Sequence, residues 1–369
     1  MSFVSPVYCA SVAHTLHHLK FASEKTEFES FCSVMPLEKK EALAALYNLK
    51  VFLNTEECLS FEKINGGDCN APILIFKFTN FYKIPIGVLK HEPNSSWAEK
   101  RMKAMDEMKS NGFERLPHIL KDIKGNYLVK LGETSFSCIE YLKPDSDQSS
   151  SIEQMFMLAA SFHNYSKRSS LTEDLRSSAL DNYSNENISH LTPELMEWNP
   201  SIFVTEAWKN CIKSAHYFTS QSFLKIYNSL PTQLIHGDIT PNNTIISNGK
   251  SFFIDLDKVR TDVRLLDFAT FSGWSFLERY LTLTEEDKLF SCIQTNYGAL
   301  EDAEKEYFPI IVLFVRCCVL EWSLRELKQA LYDKDLQKEQ QFGSILRGAI
   351  REINEIWKRI PQIKEIIKE

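Results

Sequence analysis

The sequence has no block of lysine or arginine, no CxxC pair and no internal repeat. Each absence excludes something. Forty-two basic residues stand against 49 acidic ones, for a formal charge of -7. A surface for nucleic acid or anionic membrane needs a basic patch, and none is written here, so neither partner is expected. The nine cysteines are odd in number and lack paired spacing, and Cys317 adjoins Cys318 inside an apolar run. They read as reduced, mostly buried thiols of a cytoplasmic protein. The first residues lack the charged start and long apolar stretch of a signal peptide. The most apolar segment, Phe308 to Leu320, contains Pro309 and Arg316 and is too short to span a bilayer. It reads as a buried C-terminal helix.

What is present points to two lobes. A chain of 369 residues exceeds what one hydrophobic core serves. Its apolar share of 44% and charged share of 25% are those of a globular protein, which argues against disorder. A short helix is expected over Ala10 to Leu19, then a helical pattern from Pro36 with Leu37, Ala42, Leu43, Leu46 and Leu49. From Leu59 to Leu142 the texture is strand-like, with Ile73, Ile75, Ile84, Ile86 and Val88 alternating with other residues. One helix interrupts it, Ser96 to about Lys109, with Met102, Met105 and Met108 along one side and Gly112 as its stop. Two more apolar runs follow, Tyr127 to Leu131 and Phe136 to Leu142. The polar stretch Lys143 to Ser151 reads as a connection, and beyond it the chain is mainly helical apart from a short β segment between Gln233 and Asp257. The expected organisation is an N-terminal extension (1–35), a β-rich N-lobe with one main helix (36–143) and a mostly helical C-lobe (144–369). The fold class is α+β.

The chemistry sits in one stretch. A short apolar run, Leu234-Ile235, delivers the chain to His236-Gly237-Asp238. Pro241 keeps this stretch from becoming a helix, so its polar residues lie on a loop ending at Asn243. Asn248-Gly249 between two apolar runs is a strong hairpin signal. Folding back there brings Asn243 and Asp255 to one open end. A two-residue turn places Asn243 opposite Ile254, one residue short of Asp255, an offset a bulge would correct. Asp238 lies just before that end. Such a trio suits phosphoryl transfer, whose transition state needs positioning and charge neutralisation. Asn243 and Asp255 can give oxygen ligands to Mg²⁺. Asp238 can accept the proton of an attacking hydroxyl.

His236-Gly237-Asp238 through Asn243, followed by Ile254-Asp255-Leu256-Asp257, resembles the motif of the aminoglycoside phosphotransferase and choline kinase superfamily. The resemblance implies a two-lobed, protein-kinase-like fold, ATP and Mg²⁺ as cofactors, Asp238 as base, and Asn243 and Asp255 as metal ligands. Arg264-Leu265-Leu266-Asp267-Phe268-Ala269 is similar to the family's downstream Asp-Leu-Ala segment, which makes Asp267 a brace for the catalytic loop. His236 and Asp257 fall in the same segment, behind the loop or toward the acceptor; Asp257 is open to assisting the metal or facing substrate, and reads equally as a solvated carboxylate.

The first lobe fits the same idea. Gly66-Gly67 lies before the strand Ile73 to Phe78 and allows close backbone approach to phosphates, much as in the family's Gly-Gly-x-x-Asn loop, though Gly-Gly also marks ordinary turns. Lys90 ends the strand from Ile84 and needs an anion there, which ATP phosphates supply, unless it is an edge lysine that snorkels. Glu99 is open to two roles: holding Lys90, or closing a capping box with Ser96. Glu107 is a further partner for the lysine. By resemblance, the backbone from Glu140 to Leu142 meets the adenine edge. Leu158 to His163 resembles a family core helix, with His163 structural. Gly112-Phe113 with Pro117, and Arg279 to Thr282 with Glu285, are similar to the homoserine kinase-like branch.

The acceptor implied is a small hydroxyl-bearing metabolite: an amino alcohol, a hydroxy amino acid such as homoserine, choline or an aminoglycoside. Trp274, Tyr280, Glu321 and Trp322 are available to a pocket for an amine, or read as core aromatics and a solvated acid. Two rivals stand beside this. An atypical protein Ser/Thr kinase would carry His-Arg-Asp, Asp-Phe-Gly and an activation loop. Here Gly237 replaces the Arg, and Asp257 and Asp267 lie too close for such a loop. A non-catalytic nucleotide-binding module would have lost Asp238, Asn243, Asp255 or Lys90, and all four are present. The oligomeric state is not written in the sequence.

Overall fold

The computed structural model describes residues 60–63, 75–79, 85–122, 124–131, 134–145, 151–167, 173–183, 185–270 and 300–366. The expected helices at 10–19 and from residue 36 lie outside them. The chain divides into two compact units: 1–148 with 246–252, and 149–245 with 253–369.

The first unit is built on a five-stranded sheet of order β1-β2-β3-β5-β4. Its strands are β1 (Ser60–Lys63), β2 (Ile75–Thr79), β3 (Pro85–His91), β4 (Leu128–Leu131) and β5 (Thr134–Glu140). The pairings of β1 with β2, β2 with β3, β3 with β5 and β4 with β5 are antiparallel. Helix α1 (Ser95–Ser110) buries Met102, Met105 and Met108, the row that helical spacing predicts. It stops at Asn111, and Gly112 follows at φ +100°, a left-handed conformation that costs glycine little.

Its start differs from the sequence expectation. The cap is Asn94, whose side chain accepts from Trp97 N–H at 3.1 Å. Glu99 therefore lies beyond the third helical position and is exposed, so the capping role for Glu99 is overturned. Two cap signals overlap here, and the chain uses the earlier one. One buried ion pair ties α1 to the sheet: Arg101 Nη2 meets Glu92 Oε1 at 2.9 Å, and Ser137 Oγ donates to the same oxygen at 2.5 Å. A buried charge is tolerable only when paired in this way.

The second unit is mostly helical: α2 (Ile152–Ser166), α3 (Asn185–Trp198), α4 (Pro200–Phe203), α5 (Glu206–Phe218) and α6 (Gln221–Ser229). Strand β6 (Thr232–Ile235) follows, and β9 (Arg260–Val263) pairs with it antiparallel; between them in the chain runs the hairpin of β7 (Thr244–Ser247) and β8 (Lys250–Phe253), of which residues 246–252 belong to the first unit. Helix α7 (265–270) leads out of β9. The long pair α8 (Asp302–Asp333) and α9 (Leu336–Ile366) ends the chain. Between them Lys334 takes a left-handed conformation (φ 56°), and Asp335 accepts from Lys338 N–H at the start of α9.

Helix α8 is long and apolar enough to cross a membrane, yet 72% of its most apolar window is buried inside the protein. Phe308, Ile311, Val312, Phe314, Cys317 and Leu320 are inaccessible, and Phe314 packs against Phe218, Phe223 and Tyr227. Arg316 on the same helix is buried beside Glu352 at 3.6 Å. The segment is the buried helix that its length predicts. Cys138, Cys211 and Cys317 are buried free thiols; burial raises Cys211 to about 12, which keeps it protonated and inert.

Candidate active site

The turn at Asn248-Gly249 has φ of 51° and 70°, the pair of positive values a tight two-residue hairpin requires. Counting back from it puts Asn243 opposite Ile254, and Ile254 N–H does donate to Asn243 O at 2.9 Å. Asp255 has φ 55°, unusual for a residue with a side chain and found where the surroundings hold it.

The loop before the hairpin is pinned at each step. Ile235 ends β6 opposite Arg260. Gly237 follows at φ +81°. Pro241–Asn243 forms one 3₁₀ turn, with proline at its first position where no N–H is needed. The Asn243 side-chain amide donates to Asp238 O at 3.0 Å. Its nitrogen therefore faces the loop, leaving the amide oxygen as the atom for any cation.

Asp267, fully buried, is the centre of the arrangement. One carboxylate oxygen accepts from His236 N–H at 2.8 Å and lies 2.7 Å from His163 Nε2; the other accepts from Gly237 N–H at 2.7 Å. Burial works to raise the Asp267 carboxyl. The His163 hydrogen bond and the charges around it outweigh burial, and the group sits below its ordinary value. Burial lowers His236, against the pull of the Asp267 and Asp255 charges, so its ring stays neutral at neutral pH. His236 Nδ1 accepts from Asp238 N–H at 3.3 Å, and the ring lies 4.5 Å from Phe253 between centroids. His163, also fully buried, lies 5.0 Å from Phe268. Asp238, Asn243, Asp255 and Asp257 are half-buried.

Asp262 and Arg260 were not singled out by the sequence. Asp262 accepts from Tyr227 OH at 2.7 Å, Ala179 N–H at 2.8 Å and Arg260 Nε at 2.9 Å. Arg264, three residues before Asp267, donates through Nε to Glu304 at 2.7 Å and through Nη2 to the same carboxylate, which anchors the strand exit to α8. Apart from the Arg260 contact, which spans two positions, they join residues 35 to 83 positions apart and have no periodic signal in the sequence.

In the first unit, Lys90 is half-buried on β3, across from Ile75 and Ser137. Glu140 is tied into the sheet: its N–H donates to His118 O at 2.8 Å and its carboxylate accepts from His118 N–H at 3.1 Å. Leu142 is half-buried just after β5, and Glu107 is half-buried on α1. Gly66, Gly67, Trp274, Tyr280 and the segment 279–285 lie outside the described residues. Trp322 stands edge-on to Phe342 at 5.4 Å, as a packing aromatic does. Glu321 accepts from Asn187 Nδ2 at 2.5 Å, and burial raises its carboxyl.

Comparison with known proteins agrees with this geometry. The family model described as a phosphotransferase enzyme family matches residues 132–291, which contain the whole loop and hairpin. No curated protein matches the sequence. Solved structures match by shape. A choline/ethanolamine kinase family protein from Mesorhizobium loti has TM-score 0.58 and 15% identity, covering 90% of this chain and 99% of that one. An aminoglycoside phosphotransferase from Alicyclobacillus acidocaldarius has TM-score 0.55 and 13% identity, covering 80% and 92%. The amicoumacin kinase hAmiN, in complex with AMP-PNP, Ca²⁺ and Ami, has TM-score 0.55 and 11% identity, covering 79% and 88%. None of the three is homoserine kinase-like, and that finer resemblance gains no support from them. The chain is thus similar to the phosphotransferase enzyme family over residues 132–291, and it shares the two-lobed α+β fold of these solved kinases.

Proposed function

We propose that the protein transfers the γ-phosphate of ATP to a hydroxyl group of a small molecule, with Asp238 as the base and Asn243 and Asp255 as the protein's ligands to Mg²⁺. One observation carries this: the loop from His236 to Asn243 and the residue after the hairpin are joined by the Ile254 to Asn243 hydrogen bond. That bond sets Asp255 beside the loop that holds Asp238.

The residues fit a hard cation. Among the described residues no three His, Cys, Asp or Glu side chains gather as a metal site. An all-protein cage for zinc or calcium would need such a cluster, whereas Mg²⁺ takes one or two carboxylates and completes its shell with phosphate oxygens and water. The carboxylate of Asp255 and the amide oxygen of Asn243 match that modest demand. Mg²⁺, when bound, neutralises charge on the transferred phosphoryl group.

The chain's own part is placement. Asp267 holds the two peptide N–H groups before Asp238, and Asn243 holds the carbonyl after it. A base fixed in this way meets an acceptor hydroxyl without reorganising, and takes its proton as the phosphoryl group arrives. Lys90 on β3 supplies a cation for the nucleotide phosphates, with Glu99 or Glu107 as its partner on α1. The backbone after Glu140, through Leu142, supplies the adenine contacts. Gly66 and Gly67 cover the phosphates. His236 and Asp257 line the loop. The acceptor is an amino alcohol, a hydroxy amino acid, choline or an aminoglycoside. The nucleotide analogue and divalent cation bound to hAmiN support the cofactor reading.

The test is ADP release from Mg²⁺-ATP with ethanolamine, choline, homoserine and spectinomycin, alongside Asp238→Asn. The expected result is acceptor-dependent turnover, reduced roughly 10²–10⁴-fold in the variant by loss of the base. Turnover with no acceptor dependence, or near-normal turnover by Asp238→Asn, overturns the reading.

A further inference from the structure

Gly237 is enclosed on two sides. Its N–H is taken by Asp267. On the Cα side there is no room: a Cβ at position 237 would lie 2.4 Å from Lys258 O and 2.6 Å from Arg260 Nη1. Both are closer than a carbon can approach without displacing something. The backbone carbonyl and the guanidinium together form a wall against the peptide that enters Asp238.

The guanidinium is itself locked. Its Nη1 donates to Lys258 O at 3.2 Å and its Nε to Asp262 at 2.9 Å. Asp262 cannot swing away, since Tyr227 OH, Ala179 N–H and Val263 N–H also donate to its carboxylate, and the residue is 4% exposed. Arg260 stands opposite Ile235 across the β6–β9 pair, so its backbone is fixed to the strand that enters the loop. Every part of the wall is tied to secondary structure of the second unit.

We propose that Arg260 is a positioning residue, which acts by pressing on Gly237 and so sets where the Asp238 carboxylate stands. The inference rests on the reading of Asp238 as base. Only an arginine fork bridges the Asp262 carboxylate and the Lys258 carbonyl at once, because a lysine offers one point charge on a flexible stem. The carboxylate partner, Asp262, belongs to the chain itself.

The test is a double-mutant cycle on the full chain. Arg260→Ala and Arg260→Lys are made alone and with Asp238→Asn, and ADP release from Mg²⁺-ATP is measured with water as the acceptor. Arg260→Ala is expected to lower kcat about 10–100-fold, the scale of a base displaced by an ångström. KM for Mg²⁺-ATP should stay within about twofold, as uniform binding is untouched. Arg260→Lys should lie between Arg260→Ala and wild type, and low-millimolar guanidinium should restore part of the Arg260→Ala turnover. In the Asp238→Asn background either substitution should cost little more.

Losses that add in full to that of Asp238→Asn overturn the proposal. So does an Arg260→Ala enzyme of normal kcat, or one whose loss is all in KM. If Arg260→Ala does not fold, Arg260→Lys carries the same cycle. The base reading fails separately: near-normal release by Asp238→Asn removes it whatever Arg260 does. A full loss there with normal release by Arg260→Lys and Arg260→Ala removes only the role of Arg260.

Discussion

Replacing Asp267 by asparagine isolates the brace of the loop from His236 to Asn243. The substitution keeps shape and volume but removes the charge and turns one acceptor into a donor. Three donors converge on the native carboxylate: His163 Nε2, His236 N–H and Gly237 N–H, at 2.7, 2.8 and 2.7 Å. An asparagine side chain can serve at most those on one side. At least one buried donor is then left facing an NH₂ group. A hydrogen bond to a charged group is worth roughly 1.5–3 kcal/mol, and a stranded buried donor costs about 1–3 kcal/mol. The expected destabilisation is therefore about 2–5 kcal/mol. At roughly 2–4 °C per kcal/mol for a unit of this size, the melting midpoint should fall by about 5–15 °C. Urea titration followed by tryptophan fluorescence reads the stability, and ADP release reads the loop. Turnover should drop by at least about tenfold even where the variant is folded, because the peptide before Asp238 has lost a tether. A shift under about 0.5 kcal/mol, the level of an indifferent surface change, would refute the reasoning.

Three further outcomes follow from single contacts. Gly237→Ala should cost about 2–5 kcal/mol, from the left-handed conformation plus the overlap with Lys258 O, and should depress turnover; Gly249→Ala, also at positive φ but with open space around it, should cost only about 1–2 kcal/mol and leave turnover unchanged. Equal effects at the two glycines would remove the argument for a wall at Arg260. His236 has a folded value depressed below 6.5, so its contribution is whole above that pH and is lost as pH falls through 6.5 toward the folded value. The stability gap between wild type and His236→Asn should thus narrow between about pH 7.5 and 5.5, and a constant gap in denaturant titrations would contradict the assignment.

The loop and hairpin were legible in the sequence because their signals are local. Asn248-Gly249 specifies its turn within two residues, and counting from it places Asn243 correctly against Ile254. The sequence did not reveal the left-handed backbone of Asp255. Left-handed backbone at an aspartate leaves no periodic mark. At α1 the residues offered two overlapping caps, and Asn94 took the helix start that Ser96 and Glu99 had seemed to define. The Met102, Met105 and Met108 row was readable because burial follows helical spacing. The Arg101–Glu92 pair on the same helix was not, since nothing in the pattern distinguishes a buried arginine from a solvated one. The braces of the loop were hidden for a related reason. His163 meets Asp267 across 104 residues, Tyr227 meets Asp262 across 35, and Arg260 touches Gly237 only because β6 and β9 pair. Such contacts are products of the tertiary fold, and the resemblance alone gave Asp267 its role.

The central claim is that Asp255 and Asn243 hold a magnesium ion on a nucleotide. Calorimetric titration with AMP-PNP, with and without Mg²⁺, tests it most directly in wild type and Asp255→Ala. Wild type should bind at least about tenfold more tightly with Mg²⁺, and Asp255→Ala should bind equally weakly in both conditions. An Asp255→Ala protein that keeps the full magnesium-dependent gain would contradict the account.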